Sequence, residues 1–189
     1  MKKTLFLGAF VALMFVKCGK DGNNDPFAIK NGSIGNLTEN TKIKQLDSIF
    51  SLDSIVKTHS SPNAIETQGE VEIYEKGGKR LLLLSPEDET DPNSNITDIL
   101  VYDPRFKTDK GLTNASTFKD FKVNYTISGM QPIINGVLVF FSDSDIYLTI
   151  DAKYLTAEVR NNPSAKLEPH HVIDAAPIKY LRIGWNPEK

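Results

Sequence analysis

Two uninterrupted apolar runs, LLLL at 81–84 and VLVFF at 137–141, place the strongest limit on what this chain can fold into. Both are short and bounded by turn-forming sequence, so they read as strands and not as core helices. A strand with one face in water alternates apolar and polar side chains, because successive residues point to opposite faces. A strand without alternation is buried on both. The runs therefore call for a sheet on which helices are packed.

The remaining strand signals fit that sheet. Glu70–Tyr74 and Arg80–Leu84 flank Glu75-Lys76-Gly77-Gly78-Lys79, a hairpin sequence. Ile96–Tyr102, Tyr125–Met130, Gly136–Phe141 and Ile146–Ile150 follow, and Ser142-Asp143-Ser144-Asp145 suits a tight turn between the last two. Ile178–Trp185 closes the set. Residues 59–69 and 85–95, rich in Ser, Pro, Asn, Asp and Gly, are expected loops.

Two short helices are expected. Ile43, Leu46, Ile49 and Phe50 share one helical face behind a cap at Asn40 or Thr41. Phe118, Phe121 and Tyr125 share another behind a cap at Ser116. Each helix follows a glycine turn and leads into strands. The expected fold class is α+β: two helix-then-antiparallel-strand repeats, approximately 27–102 and 103–189, with short helices packed on one face of an antiparallel sheet.

The first residues have a different character. Lys2 and Lys3 precede a dozen apolar residues, Leu5 to Val16, which suits a signal-peptide core and falls short of the roughly 20 residues that span a bilayer. Residues 1–17 are read as a signal peptide and 18–26 as a flexible tether. Losing 1–17 removes three lysines and no acid, so the formal net charge moves from −2 to −5. A mildly acidic domain does not attract phosphate backbones, which argues against nucleic acid as a partner. The chain holds one cysteine, Cys18, so no internal disulfide is available and the fold rests on burial and hydrogen bonds.

Cys18-Gly19-Lys20-Asp21 behind the apolar stretch resembles the lipoprotein signals of Bacteroidota envelope proteins, in which the cysteine becomes the lipidated first residue. Lys17 and Phe15 stand where such signals commonly carry a small residue and a leucine. A cleaved soluble periplasmic protein or an uncleaved anchor are the alternatives. The strings YEKGGKRLLLL and YDPRFKTDKG resemble uncharacterised flavobacterial lipoproteins. The stretches Gly32-x-Ile34-Gly35-x-Leu37-Thr38 and Thr108-x-Lys110-Gly111-Leu112, with Ser116-Thr117-Phe118-x-Asp120, resemble the tandem fold of beta-lactamase inhibitory protein and the SmpA/OmlA envelope lipoproteins. The resemblance implies lipidation at Cys18, a place in the cell envelope at the outer membrane, and no assigned activity.

The residues that could carry chemistry form no complete set. His170 and His171 are adjacent, and neighbours in an extended segment point to opposite faces, so with His59 they are poorly placed to chelate one ion. Asp91-x-Asn93-x-Asn95 opens like a calcium loop, but Ile96 stands at the glycine position and Tyr102 at the place of the bidentate glutamate. The carboxylates Glu87, Asp88, Glu89 and Asp91, and the pair Asp143 and Asp145, lie in polar loops, whereas acid catalysis needs one desolvated carboxyl beside an ionised one. Asp47-Ser48-Ile49 and Asp53-Ser54-Ile55 resemble the short sequence used for Bacteroidota O-glycosylation, and read equally well as a helix surface and a strand start. Tyr74, Tyr102, Phe106, Phe140, Phe141, Tyr147 and Trp185 lie on strands or at their ends, where they are either core or a binding face. No catalytic residue, cofactor or metal is expected. The expected role is a non-catalytic envelope lipoprotein that binds another envelope protein or helps assembly, with small-molecule or glycan binding as the alternative.

Overall fold

The computed structural model describes residues 25–58, 69–160, 162 and 166–185. The expected signal peptide, Cys18, most of the tether, His59 and the expected loop over 59–68 lie outside those residues.

Among the described residues twelve strands form two sheets. The larger has eight: β4 (Ser54–Thr58), β5 (Glu70–Tyr74), β6 (Arg80–Pro86), β7 (Ile96–Val101), β9 (Ile127–Ile133), β10 (Gly136–Phe141), β11 (Ile146–Asp151) and β12 (Tyr180–Gly184). Their spatial order is β4-β5-β6-β7-β12-β11-β10-β9, antiparallel throughout. Two meanders, β4 to β7 and β9 to β12, therefore meet where β7 pairs with β12. The smaller sheet holds β1 (Ala28–Lys30), β2 (Ser33–Ile34), β3 (Leu37–Thr38) and β8 (Lys107–Thr108), with β1 parallel to β8. The short helices are α1 (Leu46–Ile49), α2 (Phe118–Asn124) and α3 (Ala157–Arg160). The class is thus α+β, mostly antiparallel sheet with a few short helices. No helix among the described residues is long and apolar enough to cross a membrane.

The register explains the apolar runs. Ile55, Ile73, Leu82, Val101, Leu181, Leu148, Val139 and Met130 stand opposite one another across all eight strands, an unbroken apolar row. This row belongs to one hydrophobic cluster that also takes Ile29, Ile34 and Leu37 of the small sheet, Leu46 of α1, Phe118 and Phe121 of α2 and Val159 of α3. The three helices among the described residues lie on this face. Leu83 and Leu100 are buried but stand outside the cluster, on the opposite face. The expectation that helices cover the runs thus holds for one face only; on the other, strand side chains shield each other.

Helix caps sit later than expected. Thr117, not Ser116, caps α2, because Asp120 lies three residues on and the two close a capping box: the Thr117 N–H donates to Asp120 Oδ2 at 2.8 Å and the Asp120 N–H returns to Thr117 Oγ1. Ser116 Oγ instead accepts the Thr113 N–H. The first helix opens with a 3-10 turn at Ile43–Gln45 behind Lys42, whose N–H donates to Gln45 Oε1 at 2.8 Å. Thr41 is diverted, since its hydroxyl accepts the Thr38 N–H. The five strands with shortest or most exposed sequence, β1 to β4 and β8, carry too little alternation to be read in advance.

The hairpin at 75–79 turns through Gly77 and Gly78, both at positive φ, where side chains with a Cβ are strained. Its ends meet the Asp103-Pro104-Arg105 turn in an ionic cluster. Arg105 donates to both oxygens of Glu75 at 2.8 and 2.9 Å and to Asp103 Oδ2 at 2.6 Å, and Lys79 Nζ lies 3.1 Å from Asp103. Asp103 is fully buried. Burial pushes its carboxyl upward, but hydrogen bonds from the Arg105 side chain and backbone and from Lys79 outweigh that and hold it down at about 2. The folded value lies below that of an unfolded aspartate, so the stabilisation is full above about pH 4 and is lost as pH falls towards 2. Partly exposed partners screen the cluster, so Asp103→Asn should cost about 1–2 kcal/mol at pH 7 and almost nothing near pH 2, measured by urea unfolding at both.

Candidate functional site

One residue along each strand from the apolar row lies a second row with a different composition. Val56, Glu72, Leu83, Leu100, Arg182, Tyr147, Phe140 and Gly129 stand opposite one another on the helix-free face. Leu83 and Leu100, each 6 % exposed, form its apolar middle. A cluster of acid, arginine and tyrosine flanks them on either side.

In the first cluster Asp98 gathers two partners. Arg182 Nε donates to Asp98 Oδ2 at 2.9 Å, and its Nη2 lies 2.7 Å from the same oxygen. The Tyr147 hydroxyl donates to Asp98 Oδ1. The Tyr147 ring stacks on Phe140, with centroids 5.5 Å apart. Gly184 leaves room beside this pair, since a Cβ there would stand 3.3 Å from the Tyr147 ring. In the second cluster Arg80 Nη2 donates to Glu72 Oε1 at 2.6 Å, the Tyr74 hydroxyl donates to Glu72 Oε2, and the Arg80 guanidinium lies 3.8 Å above the Tyr102 ring. Such stacking fixes the cation without removing its hydrogen-bonding edge. Tyr180, half-exposed beside them, was not among the aromatic residues singled out from the sequence; its position next to Arg182 on the same strand face is the signal that finds it.

The aromatic set thus divides. Tyr74, Tyr102, Phe140 and Tyr147 stand on the helix-free face, while Phe106, Phe141 and Trp185 belong to the core. The face thus holds fixed aromatic rings and paired guanidinium groups around an apolar centre.

The other candidates are engaged elsewhere. Asp88 Oδ1 accepts from the Thr90 N–H and hydroxyl, and Asp91 Oδ1 from the Asn93 N–H at 2.8 Å, so both close local turns. In the calcium-like sequence Lys44 donates to Asn93 Oδ1 at 2.7 Å and Lys42 to Asn95 Oδ1 at 2.6 Å, putting ammonium groups where a cation would need free oxygens. Asp145 accepts the Gly32 N–H at 2.7 Å, tying the small sheet to the large one, and Asp143 pairs with Lys110 at 3.6 Å. Ser48 and Ser54 are exposed, on α1 and at the first residue of β4.

The histidine pair is corrected. Pro169–His171 is a 3-10 turn, not an extended segment, and the two rings lie 3.9 Å apart. His171 is buried, and its Nδ1 accepts the Glu168 N–H at 3.0 Å. Among the described residues no group of three or more His, Cys, Asp or Glu is placed to hold a metal. A cavity of about 280 Å³ lies between the small sheet and the β10–β11 turn. Its central cation, Lys110, is already held by the Asn124 carbonyl, Asp143 and the Tyr125 ring 3.7 Å away.

Burial, then the charge of Asp98, pushes the Tyr147 hydroxyl well above the usual tyrosine range, against the pull of Arg182. The protonated phenol is therefore favoured by folding: its contribution is present below about pH 10 and lost as pH rises through the folded value. Tyr147→Phe should cost about 1 kcal/mol at pH 7. The difference from the parent should shrink in strongly alkaline solution, read by denaturant unfolding alongside tyrosinate absorbance.

No protein-family model matches the chain, and no curated protein does. Among solved structures it is similar to the crystal structure of the uncharacterized protein yfeY from Escherichia coli. The TM-score is 0.53 at 13 % identity, over 83 % of this chain and 97 % of that one. At such identity the likeness is one of fold.

Proposed function

We propose that this chain is a non-catalytic envelope lipoprotein, anchored through Cys18 in the outer membrane, whose helix-free sheet face binds another protein of the envelope. The observation that carries the reading is the row from Glu72 to Phe140, an apolar middle held between two arginine–tyrosine clusters. Tyrosine and arginine supply much of the energy of protein interfaces. Asp98 and Glu72 already hold Arg182, Tyr147, Arg80 and Tyr74 in place, so little side-chain freedom remains to be lost on binding. The loop acids that might serve a reaction accept hydrogen bonds from their own turns, which favours binding over catalysis. The same reading takes the chain as two repeats, approximately 27–102 and 103–189: each of the first two helices leads into a four-stranded meander, and the meanders join at β7 and β12.

Export and anchoring rest on Lys2 and Lys3, the apolar stretch and Cys18. Cys18→Ala should move the protein from the membrane pellet to the soluble envelope fraction; an unchanged distribution, with residues 1–17 still attached by mass spectrometry, sinks the anchor. For the face, a photo-crosslinking amino acid at Tyr180 should capture a discrete envelope protein in intact cells, whereas one at the exposed Lys119 of α2 should not. Identical patterns from both sites, or none from Tyr180, would reject the face.

A further inference from the structure

The small sheet presents a surface that the proposed binding face does not use. Ile29, Ile34 and Leu37 point into the core from β1, β2 and β3, and the buried Thr108 of β8 stands opposite Ile29 on the same face. Alternation therefore turns Ala28, Lys30 and Lys107 outward, with Ser33 and Thr38 beside them. Lys30 and Lys107 are exposed, and neither makes an ion pair among the described residues.

The chain enters the fold at this sheet and is clamped on arrival. The Phe27 N–H donates to Asp25 Oδ1 and the Ala28 N–H to the Asp25 carbonyl, both at 3.0 Å. The Lys107 N–H donates to the Phe27 carbonyl at 2.9 Å. The Phe27 ring packs edge-on against Phe106, centroids 5.0 Å apart, under the Arg105 guanidinium at 4.3 Å. The described residues thus begin at this sheet, with Asp25. Seven residues from Cys18 to Asn24 reach at most about 25 Å even fully extended.

From this exit, this reach and these two unpaired cations, we infer that the outer face of the small sheet, through Lys30 and Lys107, is the surface laid against anionic phospholipid headgroups of the bilayer that holds Cys18. The inference rests on the anchoring proposed above. The body of the mature chain is acidic, so an anionic surface repels most of it and attracts this patch, which fixes an orientation without a polybasic grip. The outer face of the small sheet and the helix-free face of the large one both point away from the core they share. A bilayer against the first leaves the second open to a partner.

The test uses the acylated full-length protein in vesicles of phosphatidylethanolamine and phosphatidylglycerol, three to one, containing a lipid with a quencher on its headgroup. A fluorophore on Lys30→Cys or Lys107→Cys should be quenched at least about threefold more than one on Tyr180→Cys, since charge attraction within a Debye length keeps the patch near the headgroups. In Lys30→Glu/Lys107→Glu, with the probe moved to Ser33→Cys, and in phosphatidylcholine vesicles, the excess over Tyr180→Cys should fall at least about twofold. Equal or reversed quenching, or a contrast insensitive to both changes, overturns the inference while leaving the anchor intact. Mass spectrometry of the N-terminal peptide reads the anchor separately: an unacylated Cys18 removes anchoring and this surface together.

Discussion

The antiparallel ladder between β7 and β12 decides the rest of the molecule. It sets Val101 against Leu181 and Ile99 against Ile183 and so joins two four-stranded meanders that are built from local hairpins. Alone, each meander would carry an apolar face with too little on top of it and an edge open to any other strand. Joined, they offer eight strands of continuous apolar surface, wide enough for three short helices and the small sheet to settle on. The pairing is distant in sequence, so its loop closure is costly and its formation should come late in folding.

Once that sheet exists, position along a strand decides everything. A shift of one residue separates a row of purely apolar side chains from a row containing Glu72, Arg182 and Tyr147, because the side-chain period of a strand is two. The core row draws the helices onto its face. The opposite row cannot be covered in the same way, since its charged groups would lose water without gaining further partners. It uses those groups on itself: Asp98 and Glu72 organise the arginines and tyrosines, and Leu83 and Leu100 are shielded by their neighbours. A face of this kind is stable in water.

Electrostatics also ties together parts of the chain that look unrelated. The hairpin at 75–79 and the turn at 103–105 are separate strings in the sequence, each with charges that read as ordinary surface. In the fold, Glu75, Lys79, Asp103 and Arg105 become one cluster around a fully buried carboxylate. Asp145 does similar work by accepting the Gly32 N–H, which stitches the small sheet to the large one. Backbone and cationic donors reach these acids and tie separate segments of the chain together.

Local chemistry was enough to announce the strands at 70–74, 80–84, 96–101, 136–141 and 146–150, the Gly77-Gly78 turn, the apolar faces of α1 and α2 and the α+β class. Each depends on periodicity or turn preference within a few residues, and such signals survive in a linear reading. The cap at Thr117 needed only a closer look at Asp120. The sequence also showed an unbroken apolar run at 81–84, but not that Leu83 would be buried without a helix above it. That was settled by strand order, which sets it between Glu72 and Leu100. The pairing of Asp98 with Arg182, the small sheet with its two outward lysines and the division of aromatics between core and face were all decided by tertiary structure. They depend on which distant segments become neighbours, and that is fixed by the burial of the whole sheet, not by any stretch of it.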